Sequence, residues 1–140
     1  MRTLLLALAL AATAAVAQER PSSVSTQLSV TGEVQNTLKL SVDDLRGIAK
    51  KRGTAAAGAY SGVRLVDVLE EADIRRDSPR ALRRTYIVAF ATDGYQAVFS
   101  WGELYDSPIG KGVLIAIERD GKPLQDGDCL LYTSPSPRDS

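Results

Sequence analysis

Apolar and polar positions between residues 28 and 124 predict a mixed set of short strands and helices. Leu28, Val30 and Gly32-Glu33-Val34 alternate with the period of a strand, and Leu38-Lys39-Leu40 makes a second short one. Ser41-Val42-Asp43-Asp44 is an S-x-x-D box, which predicts a short helix through Leu45 with its acids at the positive end of the helix dipole. Residues 46–59, RGIAKKRGTAAAGA, carry three glycines and a basic triplet and are expected to be loop or irregular strand. Leu65, Val68, Leu69 and Ala72 fall at i, i+3, i+4 and i+7, the stripe of an amphipathic helix from Arg64 to about Ala72. Residues 74–84 read as a charged connection containing Pro79.

The densest pattern is residues 86–124, YIVAFATDGYQAVFSWGELYDSPIGKGVLIAIERDGKPL. Residues 86–91 are apolar on both faces, the mark of a central buried strand. Thr92-Asp93-Gly94 supplies turn chemistry before the chain returns over residues 95–99. Ser100-Trp101-Gly102-Glu103 is a second capping box and opens a short helix near Leu104. Residues 113–117 form another strand apolar on both faces, followed by a tight turn at Asp120-Gly121; Pro123 marks the returning strand as short or at an edge. Strands and helices mix without regular βαβ alternation, so the expected class is α+β, with mixed or antiparallel strands and short helices.

The ends read differently. Arg2, the apolar and small-residue run over residues 4–16 and the Ala15-Val16-Ala17 site make residues 1–17 a signal peptide, with residues 18–27 a flexible leader. Export is therefore expected, to the periplasm in a bacterium or to the outside. Residues 129–139, CLLYTSPSPRD, are what one frame of a transposase-type sequencing-library adapter encodes, so residues 129–140 are expected to be foreign to the domain at 28–128. The one cysteine, Cys129, falls in that segment, and the chain has no histidine. Thiolate chemistry, disulfides and imidazole ligands are thus not expected in the domain. Without Arg2, Arg138 and Asp139, the 17 basic and 17 acidic residues become 15 and 16. That near-neutral balance argues against a nucleic-acid partner.

Three pieces resemble the sulfite-oxidase-like molybdopterin-binding domain family. VTGEVQNTLKLSVDDL at residues 30–45 is similar to its V-x-G-x-V opening, and YSGVRLVDVLEEADI at 60–74 to its G-V-x-L helix. Residues 86–124 are similar to its D-G-Y turn, S-x-x-E-L helix and G-x-P-L hairpin. The resemblance implies that family's fold, incomplete at the C-terminus where further strands would follow, and molybdopterin as the cofactor class. It also implies a molybdenum-binding cysteine within residues 46–59, and none is there. No catalytic and no metal-binding residue is carried over.

The expected function is therefore a secreted, non-catalytic binding or accessory module for a pterin or another small molecule. The candidate cofactor-binding residues are Tyr60, Arg64, Asp93, Tyr95 and Trp101, with Tyr105 and Arg52 as further members of such a pocket. One alternative is a periplasmic molybdenum-cofactor-dependent oxidoreductase in which backbone and polar groups hold the pterin. Another is a cofactor-free periplasmic partner of a redox or sensory complex. It would dock through Lys50, Lys51, Arg52, Arg75, Arg76, Arg80, Arg83 and Arg84, unless these arginines and lysines are a solvated surface beside Asp73 and Asp77. Asp93 and Glu103 are the acids best placed for chemistry, but turn formation and capping account for them. The missing strands are expected to leave an open strand edge.

Overall fold

A computed structural model of the chain describes residues 25–91 and 94–125 and the backbone of 131–133. The proposed signal peptide, most of the leader and Asp93 lie outside the described residues. Strands β1 (Gln27–Val30) and β2 (Leu38–Ser41) pair antiparallel, Leu28 opposite Leu40, as the alternation predicts. Val34 does not extend either strand; it makes an isolated antiparallel bridge to Ile74.

Helix α1 (Val42–Arg52) starts at the predicted box: the Asp44 N–H donates to Ser41 Oγ at 3.2 Å and the Ser41 N–H donates to Asp44 Oδ2 at 2.8 Å. It runs seven residues beyond Leu45, into the segment expected to be loop. A single Gly47 costs a helix only about 1 kcal/mol. Against that, Leu45, Ile48 and Ala49 are buried and the basic triplet occupies the last turn, where the dipole favours cations. The rest of that segment is strand β3 (Ala55–Ala57), which turns at Gly58 into β4 (Tyr60–Arg64). Helix α2 (Leu65–Ala72) follows at once, with all four stripe residues buried. The charged connection contains one turn of helix, α3 (Pro79–Leu82), capped by Ser78.

Strands β5 (Tyr86–Phe90) and β6 (Gln96–Ser100) form a two-stranded sheet with Val88 opposite Val98. This corrects the reading of 86–91 as a central buried strand. Tyr86 is 67% exposed, Phe90 72% and Val98 63%, while Ile87, Ala97 and buried Phe99 turn toward the core. Two apolar faces in sequence therefore reflect one face on the core and one on solvent. Helices α4 (Trp101–Tyr105) and α5 (Ile109–Gly112) lead into β7 (Val113–Arg119). Asp120 and Gly121, both with positive φ (52° and 76°), make the expected tight turn into the short β8 (Lys122–Pro123).

Strand β7 is the central strand. It pairs with β4 on one side, and on the other with β8 near its end and with β9 (Leu131–Thr133) near its start. The edge expected to be open is therefore paired. Backbone pairing needs no particular side chains, so an apolar strand edge accepts any extended segment that reaches it. Val113, Ile115 and Ile117 join Leu45, Ile48, Val63, Val68 and Leu69 in the main core; Leu114 and Ala116, on the opposite face of β7, are buried as well. The observed class is α+β. No helix among the described residues is long and apolar enough to cross a membrane.

Three surface carboxylates are held below their ordinary pKa. Backbone donors at Ser41 and Ser100 act on Asp44 and Glu103, and the Arg52 side chain, then Lys51, acts on Glu71. A depressed carboxylate stabilises the fold above its unfolded value, because the unfolded chain takes up the proton first as pH falls. With no histidine, no side chain of ordinary pKa titrates between about pH 5 and 8. The urea midpoint should therefore be flat from about pH 7 to 5 and fall between about pH 4.5 and 3. A midpoint that stays level down to pH 3 would contradict these carboxylate interactions.

Candidate functional site

The site is built from two consecutive stretches, β4–α2 and α4–α5. The Glu103 N–H donates to Ser100 Oγ and the Ser100 N–H to Glu103 Oε2 at 2.7 Å, so α4 begins at Trp101 as the capping box predicts. This start sets Trp101 and Tyr105 four residues apart, on one helix face. Their rings stack with centroids 3.9 Å apart and planes 10° from parallel. The Arg76 guanidinium lies 5.3 Å from the Trp101 ring centroid and 5.8 Å from that of Tyr105, and it is ion-paired to Glu70 of α2. A cation held over two aromatic faces and against a carboxylate ties α4 to α2.

Beside this stack lies a cleft of about 230 Å³. Arg64, Val66 and Glu70 form one wall, and Leu104, Tyr105 and Lys111 the other. Gly110 is what lets α5 close the cleft: a Cβ there would overlap the Leu104 carbonyl. Ser107 fastens the turn between the helices, its hydroxyl donating to the Glu103 carbonyl at 2.7 Å and accepting from the Ile109 N–H at 3.2 Å. Arg64 sits 3.7 Å from Asp67 through Nε, beyond hydrogen-bond distance. The Tyr105 hydroxyl is buried without a hydrogen-bond partner of normal geometry among the described residues. Its pKa is pushed well up, first by burial and then by the neighbouring Glu70 carboxylate, so it remains an O–H donor at neutral pH.

The sequence candidates divide. Arg64 lines the cleft, and Trp101 adjoins it through Tyr105. Tyr60 stands at the opposite end of β4 from Arg64, with the Arg119 guanidinium 5.5 Å from its ring centroid. Tyr95 is 46% exposed beside the Gly94 turn, its carbonyl accepting the Ala91 N–H at 2.9 Å. Neither Tyr60 nor Tyr95 lines the cleft, so the five-residue set is not one pocket. Arg52 is spent on Glu71 at 2.7 Å, with Lys51 on the same carboxylate at 3.1 Å. The basic docking face likewise divides: Lys51, Arg52 and Arg76 pair with Glu71 and Glu70, not with Asp73 or Asp77. Arg75, Arg80, Arg83 and Arg84 are exposed. Glu103 serves its cap.

The sequence singles out neither Glu70 nor Lys111. Glu70 reads as the polar side of an amphipathic helix, and Lys111 lies in the glycine-flanked I-G-K-G stretch without a chemical motif. Among the described residues no group of three or more His, Cys, Asp or Glu could hold a metal ion. The donor set does not fit a thiolate-bound molybdenum: residues 46–59 are α1, β3 and their links, with no cysteine. Arg64 and Lys111 suit an anionic group, but the cleft is below the ~300–1,000 Å³ typical of drug-sized ligands, so a whole pterin cofactor does not fit it either. No family model, no curated protein and no solved structure matches the chain.

Proposed function

We propose that this protein is an exported, non-catalytic binding module on a sulfite-oxidase-like molybdopterin-domain frame, with the α2–α4–α5 cleft as its ligand site. The observation that carries the reading is the cleft itself, where two cations, an apolar wall and a buried hydroxyl donor converge. The signal-peptide pattern of residues 1–17 supports export, and the three ordered motifs at 30–45, 60–74 and 86–124 support the frame. The lack of a cysteine in 46–59 separates this chain from the thiolate-ligated enzymes the motifs resemble. Fold alone does not transfer their chemistry.

The test is metal and pterin analysis of the full chain purified from a host that makes the molybdenum cofactor. Substoichiometric molybdenum is the expected result. About one equivalent of molybdenum with pterin would overturn the non-catalytic reading and favour the oxidoreductase.

A second reading, a protein-docking role, is favoured by the solvent-facing side of the β5–β6 sheet. Tyr86, Phe90 and Val98 are there more than half exposed, and contiguous apolar surface of this kind marks interaction sites. Charge reversal at exposed Arg75 would leave capture by such a partner unchanged if the apolar face, not the basic residues, makes the contact.

A further inference from the structure

We infer that the cleft selects a small organic monoanion, a short-chain carboxylate with its headgroup between Arg64 and Lys111 and its apolar body on Val66 and Leu104. The inference rests on the reading of this cleft as the ligand site and names what it takes. The charged groups around the cleft are Arg64, Arg76 and Lys111 against Asp67 and Glu70. Arg76 neutralises Glu70, and Asp67 stands 3.7 Å from Arg64. Lys111 has no carboxylate within 4.0 Å among the described residues, so one positive charge is left without a counter-ion. A monoanion completes that balance, whereas a dianion meets Asp67 and Glu70 with charge to spare.

The lining separates an organic acid from an inorganic one. Leu104 is buried, and with Val66 it offers the cleft a hydrocarbon wall that a free phosphate or sulfate cannot use. Arg64 makes no side-chain hydrogen bond among the described residues; its Nε stands 3.7 Å from the buried Asp67 Oδ2, and its two Nη groups are the donors a ligand carboxylate would meet. The Tyr105 hydroxyl, which makes no hydrogen bond of normal geometry among the described residues and has the Glu70 carboxylate as its neighbour, lies on the same cleft, where a ligand oxygen competes with Glu70 for its proton. The size of the cleft, about 230 Å³, sets the upper limit at a small acid.

Trp101 is the chain's one tryptophan and stacks on Tyr105, so its emission reports on the cleft wall. The experiment titrates the full chain with sodium butanoate, with butanamide as the uncharged isostere and inorganic phosphate as the anion without an apolar body. A saturable change in Trp101 emission with butanoate, absent with butanamide and weaker with phosphate, is expected. Lys111→Glu should weaken butanoate binding at least about tenfold with an unchanged melting temperature, since Lys111 is exposed and unpaired. Arg64→Met, which keeps the apolar stem and removes no side-chain cap from α2, should weaken butanoate binding as well, with a lower melting temperature because Asp67 loses the cation beside it. Equal binding of butanamide, tighter binding of phosphate, or wild-type affinity in both variants would overturn the inference. A metal-free protein that ignores butanoate but binds a pterin overturns the anion assignment alone; molybdenum at one equivalent overturns the module reading whatever the titration shows.

Discussion

Gly62→Ala is expected to be the most damaging single-methyl change in this chain, costing at least about 3 kcal/mol. Gly62 lies in β4 where the register against β7 shifts between Ser61 and Gly62. An added Cβ would overlap the Ile115 carbonyl, with the Ala116 Cα only 3.1 Å away. The obstacle is backbone of the central strand, so no rotamer change relieves it; β4 and β7 must separate. Val63, fully buried next door, and Ile115, 3% exposed, would lose their packing with it. For a domain whose total stability is about 5–15 kcal/mol, the loss should lower the melting temperature by roughly 10–20 °C. Ser61→Ala is the neighbouring control and should stay within about 0.5 kcal/mol. A Gly62→Ala melt within a few degrees of wild type would mean that the β4–β7 contact is not as close as described.

Gly110→Ala should act on the site more than on the fold. Its Cβ would overlap the Leu104 carbonyl, with the Leu104 carbonyl carbon and Cα beside it. Helix α5 is a single turn, so it can swing away from α4 at a cost of about 1–3 kcal/mol. That movement carries Lys111 away from Arg64 and opens the wall formed by Leu104 and Tyr105. The expected outcome is a folded protein with altered Trp101 emission and no saturable butanoate response. Retention of wild-type affinity would show that α5 does not position the cleft.

Local chemistry was legible in the sequence wherever one short motif decided the outcome. The boxes at Ser41 and Ser100 placed two helix starts, the stripe through Leu65 and Ala72 placed α2, and Asp120-Gly121 placed the β7–β8 turn. Reading failed where tertiary context decides. Residues 46–52 read as loop because three glycines, Gly47, Gly53 and Gly58, punctuate the stretch and its basic triplet looks like solvated surface, yet buried Ile48 and Ala49 and the ion pairs to Glu71 hold them in α1. Tyr86, Val88 and Phe90 looked like the second face of a buried strand, because apolarity in sequence does not say whether a face is covered. The cleft was half legible. Arg64 and Trp101 are candidates, but Glu70 and Lys111 join them only once α5 packs against α4 and β4 across the cleft from α2, and no spacing in the sequence encodes that packing.

The most direct test of the central claim, that the α2–α4–α5 cleft is the ligand site, is an amide chemical-shift map of the full chain with added butanoate. The account predicts saturable shifts concentrated at Arg64, Tyr105, Gly110 and Lys111, with Tyr86, Phe90 and Val98 unmoved. Shifts confined to the β5–β6 sheet, or none at saturating butanoate, would contradict it.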